Sequence, residues 1–203
     1  MSNNLLHVDR RRFLASALPL GTIACLGCTG WAAQALQPGR KDTFLENPGM
    51  SAEEIYSFFY GMFIPVLQSL GRDMGHERFI RTMTKAAEEN TAQMIASMAK
   101  DLPQRDMKSF SSFLRNVLDS PLYKQAFPAE IVQNTDKVLE LRYGACLPAK
   151  LLRAMNAADI GYALECSGMA AATRAFNPRI TTSNPKNLMK GDSYCIERFV
   201  LEG

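Results

Sequence analysis

Near Ala129 the apolar residues of this chain change their spacing, and that change limits what it can fold into. Upstream, Ile55, Phe58, Phe59, Met62, Phe63, Val66, Leu67 and Leu70 recur at intervals of three and one, which draws one broad apolar stripe along a helix. Ser51-Ala52-Glu53-Glu54 has the spacing of a capping box at its start. Pro65 is expected to kink this helix and Gly71 to end it. A second helix is expected over residues 76–98, with Phe79, Ile80, Met83, Ala87, Met94, Ile95 and Met98 turned inward. A third is expected over 106–119, carrying Met107, Phe110, Phe113, Leu114, Val117 and Leu118. The methionines and phenylalanines at this spacing read as gap-filling core rather than as a ligand box.

Downstream the period falls to two. Residues 130–133 and 137–143 flank Asn134-Thr135-Asp136 and read as a hairpin. In its second strand Leu139, Leu141 and Tyr143 share a face opposite Val138, Glu140 and Arg142. Residues 148–156 form a short helix and 158–176 a longer one. Residues 179–183 and 193–201 make a second hairpin, joined across Asn184-Pro185-Lys186. In the closing strand Cys195, Glu197, Phe199 and Leu201 point one way, and Tyr194, Ile196, Arg198 and Val200 the other. Two hairpins interrupted by helices, after a run of helices, predict an α+β fold with a small antiparallel sheet.

The first 35 residues read separately. Arg10-Arg11-Arg12-Phe13-Leu14 precedes an uncharged run from Phe13 to Gly39, and Ala33-Gln34-Ala35 has a small-x-small pattern. That is the layout of a cleaved export signal. Pro19, Gly21, Gly27 and Gly30 make it a poor membrane span, which needs roughly 20 strongly apolar residues. The Asp9–Leu14 stretch resembles a twin-arginine export signal, which implies passage through that export machinery and a periplasmic location. Leu26-Gly27-Cys28 is a weak lipoprotein box, and an uncleaved or lipidated anchor is the lesser reading. The expected organisation is a signal over 1–35, a linker over 36–50 and one α+β domain over 51–203, helical over 51–119 and mixed over 129–203.

Charge narrows the partners. The chain holds 23 Lys and Arg against 20 Asp and Glu, and three arginines and one aspartate lie in the first 35 residues. The rest is close to neutral and carries no electrostatic footprint for nucleic acid. With two histidines, one of them in the leader, multi-histidine metal sites are excluded from the mature chain. His76 is expected at an exposed helix start.

Chemistry concentrates between Cys146 and Cys195. Cys146 opens a helix, Cys166 lies within the next and Cys195 stands on the last strand, after Gly191-Asp192-Ser193-Tyr194. Spacings of 20 and 29 match no zinc-ribbon or ferredoxin pattern. Three cysteines in an exported chain leave at least one thiol unpaired within the molecule. All three as buried small hydrophobes is the plain alternative.

The stretch from Ala158 to Cys166, then Phe176-Asn177-Pro178, then Gly191-Asp192-Ser193-Tyr194-Cys195, resembles the L-2-amino-thiazoline-4-carboxylic acid hydrolase family over about residues 129–202. The resemblance implies a hydrolase that opens a cyclic amidine-like ring in a small substrate, with Cys146, Cys166, Asp192 and Cys195 as candidate site residues. The chain departs from the family pattern at Met169, where many relatives carry an aspartate, and at Ser193, Ile196 and Glu197. A thiolate attacks such a ring carbon well while a carboxyl moves the proton. Cys195 is accordingly the expected nucleophile, with Asp192 or Glu197 as acid–base group. Lys190 and Arg198 are the nearby cations, and Arg198 should face away. Two other readings use the same residues: three thiolates holding a divalent metal such as zinc, or a non-catalytic metal- or ligand-binding accessory module.

Overall fold

The computed structural model describes residues 50–203; the expected export signal, its cleavage pattern, Cys28 and nearly all of the linker lie outside the described residues. Helix α1 spans Ala52–Met74, opened by the capping box: Ser51 Oγ accepts from Glu54 N, and Ser51 N donates to Glu54 Oε2 at 2.7 Å. Gly75, at φ 83°, turns the chain into α2, His76–Met98. Helix α3 spans Met107–Leu118, and Asp106 caps it by accepting from Ser109 N at 2.8 Å. Pro121 starts α4, Pro121–Ala126, from the first-turn position where its missing N–H costs nothing.

Strands β1, Ala129–Asn134, and β2, Val138–Tyr143, form the first hairpin. Next come α5, Leu147–Ala154, and α6, Ala158–Gly161. A π-helical turn, Tyr162–Cys166, leads on to α7, Met169–Phe176. Strand β3, Ile180–Lys186, a 3-10 turn at Leu188–Lys190, and β4, Cys195–Leu201, complete the fold. The sheet is antiparallel throughout, in the order β1-β2-β4-β3. The α+β architecture is as the change of period predicts.

The two-residue alternation holds in the sheet. Leu139, Leu141, Tyr143 and Phe199 are buried with Met107, Phe110, Phe176 and Ile180 in one core. On the other face Glu140 lies opposite Arg198, whose Nη1 donates to Glu140 Oε2 at 2.6 Å. A second core gathers Tyr60, Ile64, Phe79, Leu152, Ile160 and Met189 beneath α1. Cys195 packs against the first core, and Cys146 and Cys166 against the second. The three cysteines therefore mark the seam between the two.

Four expectations are corrected. The broad stripe of α1 faces outward: Phe58, Phe59, Met62, Phe63, Val66 and Leu70 are exposed, and the helix buries Ala52, Tyr60, Ile64 and Gly71 instead. The buried row suits close approach and carries one hydroxyl with a partner inside, so bulk alone selects the wrong face. Gly71 does not end the helix; an added Cβ there would meet the Phe79 ring at 3.1 Å, so its smallness lets α1 lie against α2. The helix expected over 158–176 is broken by the π turn and by Ser167-Gly168. Asn184-Pro185-Lys186 belongs to β3 rather than to a turn, within a register shift between Ser183 and Lys186, the edge-strand setting in which a proline is tolerated.

Candidate active site

Each cysteine arrives at the end of an element. Tyr143 closes β2 directly opposite Cys195, the first residue of β4. Three residues beyond Tyr143, Cys146 stands in extended backbone as the residue before α5. Cys166 is the last residue of the π turn, which closes through Ser167 N donating to Tyr162 O at 3.0 Å. Such turns widen a helix by one residue and recur at functional sites. Here Glu165 and Cys166, adjacent in sequence, both lie within electrostatic range of Cys146.

All three thiols are free and half-buried, and each lies within electrostatic range of another. Cys146 is pushed up to about 12 by burial, with Cys195, Glu165 and Glu197 adding to it and a hydrogen bond from the Ala149 backbone N–H opposing it. Cys166 is likewise pushed up to about 12 by burial, with Cys146, Glu165 and Cys195 adding to it and a hydrogen bond with the Asn187 side chain opposing it. Burial also raises Cys195, but the backbone N–H of Leu188 donates to its Sγ at 3.1 Å and favours the thiolate.

Two tyrosine–glutamate pairs flank the thiols. Tyr143 Oη donates to Glu197 Oε2 at 3.0 Å, and Tyr60 Oη donates to Glu165 Oε1 at 2.7 Å. Burial raises both carboxyls above the ordinary range, and each tyrosine bond pulls back. Glu165 keeps exposed surface although protein crowds its carboxyl. Both phenols sit well above their usual value, first through burial and then through their glutamate.

Asp192 does different work. Its Oδ2 accepts from the backbone N–H of Asn187 at 2.8 Å and Oδ1 from Lys186 Nζ at 3.4 Å. The Asn187 bond holds its carboxyl below the ordinary value, so it carries no proton to give near neutrality. Asn187 itself is buried, donates from Nδ2 to Asn184 Oδ1 and accepts from Met189 N, each at 2.8 Å. Gly191, at φ 101°, makes the left-handed turn that brings Asp192 back onto Asn187. The carboxylate thus fastens the loop whose Leu188 N–H reaches Cys195.

The structure brings Cys146, Cys166, Cys195 and Glu197 within electrostatic range of one another, with Asp192 fastening the loop that carries Leu188. His76 lies apart, paired with Asp159 at the surface. Lys190 lies over the Tyr162 ring, its Nζ 4.2 Å from the centroid, and Arg198 faces away as expected. Among the described residues, no group of three or more His, Cys, Asp and Glu is placed to hold a metal ion, so the three thiols do not make the ligand set that the zinc reading needs. Tyr60, Tyr143, Glu165 and Asn187 are the residues that sequence reasoning passes over. Glu165 carried one usable signal, an acid inside an otherwise apolar helical stretch.

Residues 56–199 match the family described as L-2-amino-thiazoline-4-carboxylic acid hydrolase. The chain belongs to that family. The match spans most of the chain, including α1 and α2 as well as the mixed half from which the resemblance was drawn, so Tyr60 falls inside the family region together with all three cysteines and both glutamates. A search of curated proteins finds no match. Among the described residues no helix is long and apolar enough to cross a membrane.

Proposed function

We propose that this family member hydrolyses a small cyclic amidine of the L-2-amino-thiazoline-4-carboxylate type, with Cys195 as nucleophile and Glu197 as proton carrier. The observation that supports this most is the Leu188 N–H on Cys195 Sγ at 3.1 Å, on the strand face that also carries Glu197 and its Tyr143 donor. Cys146 also has a main-chain donor, Ala149 N–H, but burial still pushes its thiol up to about 12, and Cys195 is the thiol that shares its strand face with Glu197.

The ring carbon between nitrogen and sulfur is electrophilic once the ring nitrogen is protonated. Glu197 takes the Cys195 proton as Sγ bonds to that carbon. The bond from that carbon to the ring sulfur then breaks, and the departing thiolate takes the proton from Glu197. Water adds to the resulting enzyme-bound isothiourea carbon, the bond to Sγ breaks, and the thiol is restored. One water is consumed and an N-carbamoyl cysteine leaves. Cys146 and Cys166, held protonated, stand beside Cys195 as neutral thiols. Glu165 with Tyr60 faces the amidine nitrogens.

The test is turnover of 2-amino-thiazoline-4-carboxylate by the purified protein with each cysteine replaced by serine in turn. Cys195→Ser should lose activity by about 10³-fold or more, and the other two far less. Unchanged activity in all three would sink the assignment, and binding without turnover in the unmodified protein would favour the accessory-module reading. We also infer twin-arginine-type export to the periplasm from residues 9–14; Arg11→Lys with Arg12→Lys should leave the protein in the cytoplasmic fraction.

A further inference from the structure

The outward stripe of α1 has a definite geometry. Phe58, Met62, Val66, Leu70 and Met74 follow one another at intervals of four, and all are exposed, at 58, 48, 56, 44 and 40 % of their surface. On a helix that interval makes a continuous ridge, about 24 Å long at 1.5 Å per residue. Phe59 and Phe63, also exposed, thicken it on one side. On the other side the neighbouring row at the same interval is Ser57, Gly61, Pro65 and Ser69, all small. At Gly61 even an added Cβ would meet nothing within 4 Å. A ridge of large apolar side chains therefore runs beside a shallow groove of the same pitch.

We propose that this face of α1 pairs with the same face of a second copy of the chain, the ridge of each copy lying in the groove of the other about a two-fold axis near Val66. A two-fold interface requires one patch to complement itself, and adjacent ridge and groove at the same pitch meet that requirement, with the helices crossing at about −50°. The area is adequate. With apolar side chains of about 150–200 Å² each, the exposed fractions leave on the order of 600 Å² per copy, beyond the scatter of ordinary surface hydrophobes and close to the share of one partner in a standard interface. Charge argues for a copy rather than a lipid surface. Residues 55–71 carry no charge, and the ends of the helix hold Glu53, Glu54 and Asp73 against Arg72 alone, so the basic flank that draws amphipathic helices to anionic membranes is missing. Tyr60 and Ile64, on the buried face of the same helix, are not part of this surface.

The test is the mass of the full chain in solution at tens of micromolar by light scattering, for the unmodified protein, Val66→Glu and Val66→Lys. The unmodified protein should have twice the mass of one chain, and each variant the mass of one, with circular dichroism unchanged because Val66 is more than half exposed. An equal mixture of the two variants should regain the double mass, since the axis sets position 66 against itself. A single-chain mass for the unmodified protein would overturn the proposal. So would a dimer indifferent to Val66→Glu, a mixture that stays monomeric, or a monomer that sediments with phosphatidylcholine–phosphatidylglycerol vesicles.

Discussion

The two tyrosine–glutamate pairs use the same chemical groups in different mechanical settings. Tyr143 and Glu197 sit on adjacent strands whose register fixes their separation, with Leu141 opposite Glu197 and Tyr143 opposite Cys195. Tyr60 and Glu165 come from a helix and a π turn 105 residues apart, and Glu165 remains open to water. The first pair is set by a ladder of backbone hydrogen bonds and the second by helix packing alone. A carboxyl that must exchange a proton with a particular sulfur suits the former, and one that meets an incoming substrate suits the latter.

Four substitutions probe that contrast, the strongest first. Glu197→Gln should lower kcat/KM by about 10²–10⁴-fold, whereas Glu165→Gln should act mainly through KM; equal losses in kcat would erase the distinction. Gly168→Ala should strain the packing of the π turn that carries Glu165 against α2, because a Cβ there would lie 2.6 Å from Thr91 Oγ1. The expected cost is about 1–3 kcal/mol by chemical denaturation, with the acid limb of kcat unmoved. The smallest effect is on pH. Glu197 must begin as carboxylate, so activity should rise with pH through its raised pKa, above the ordinary glutamate range. The Tyr143 bond lowers that pKa, so Tyr143→Phe should move the acid limb further upward. A limb that moves downward would contradict the arrangement.

Much of the sheet could be read from the chain because alternation encodes a face directly. Leu139, Leu141 and Phe199 are buried and Arg198 points away, as a period of two demands. Helices α2 and α3 were legible in extent and in facing, with Phe79, Ile95, Met107 and Phe110 buried, but the facing of α1 was not. On α1 two rows compete, and the larger, led by Phe58 and Phe59, lost to one containing Ala52, Gly71 and a tyrosine. Close approach and a single buried hydroxyl do not register in hydrophobic spacing. The π turn was invisible for a related reason: Tyr162–Cys166 has an ordinary helical composition, and the extra residue is specified by what surrounds it. Of the candidate site, Cys146, Cys166, Cys195 and Glu197 were legible because cysteines are scarce and the strand period places Glu197 on the same face as Cys195. Glu165 and Tyr60 were missed because their meeting depends on tertiary packing.

The hydrogen on Leu188 that points at Cys195 belongs to the peptide backbone. Any side chain at that position, proline excepted, leaves it in place. The side chain at position 188 answers to the second core it packs against, while its contribution to the thiol would outlast any substitution there that keeps the loop in place.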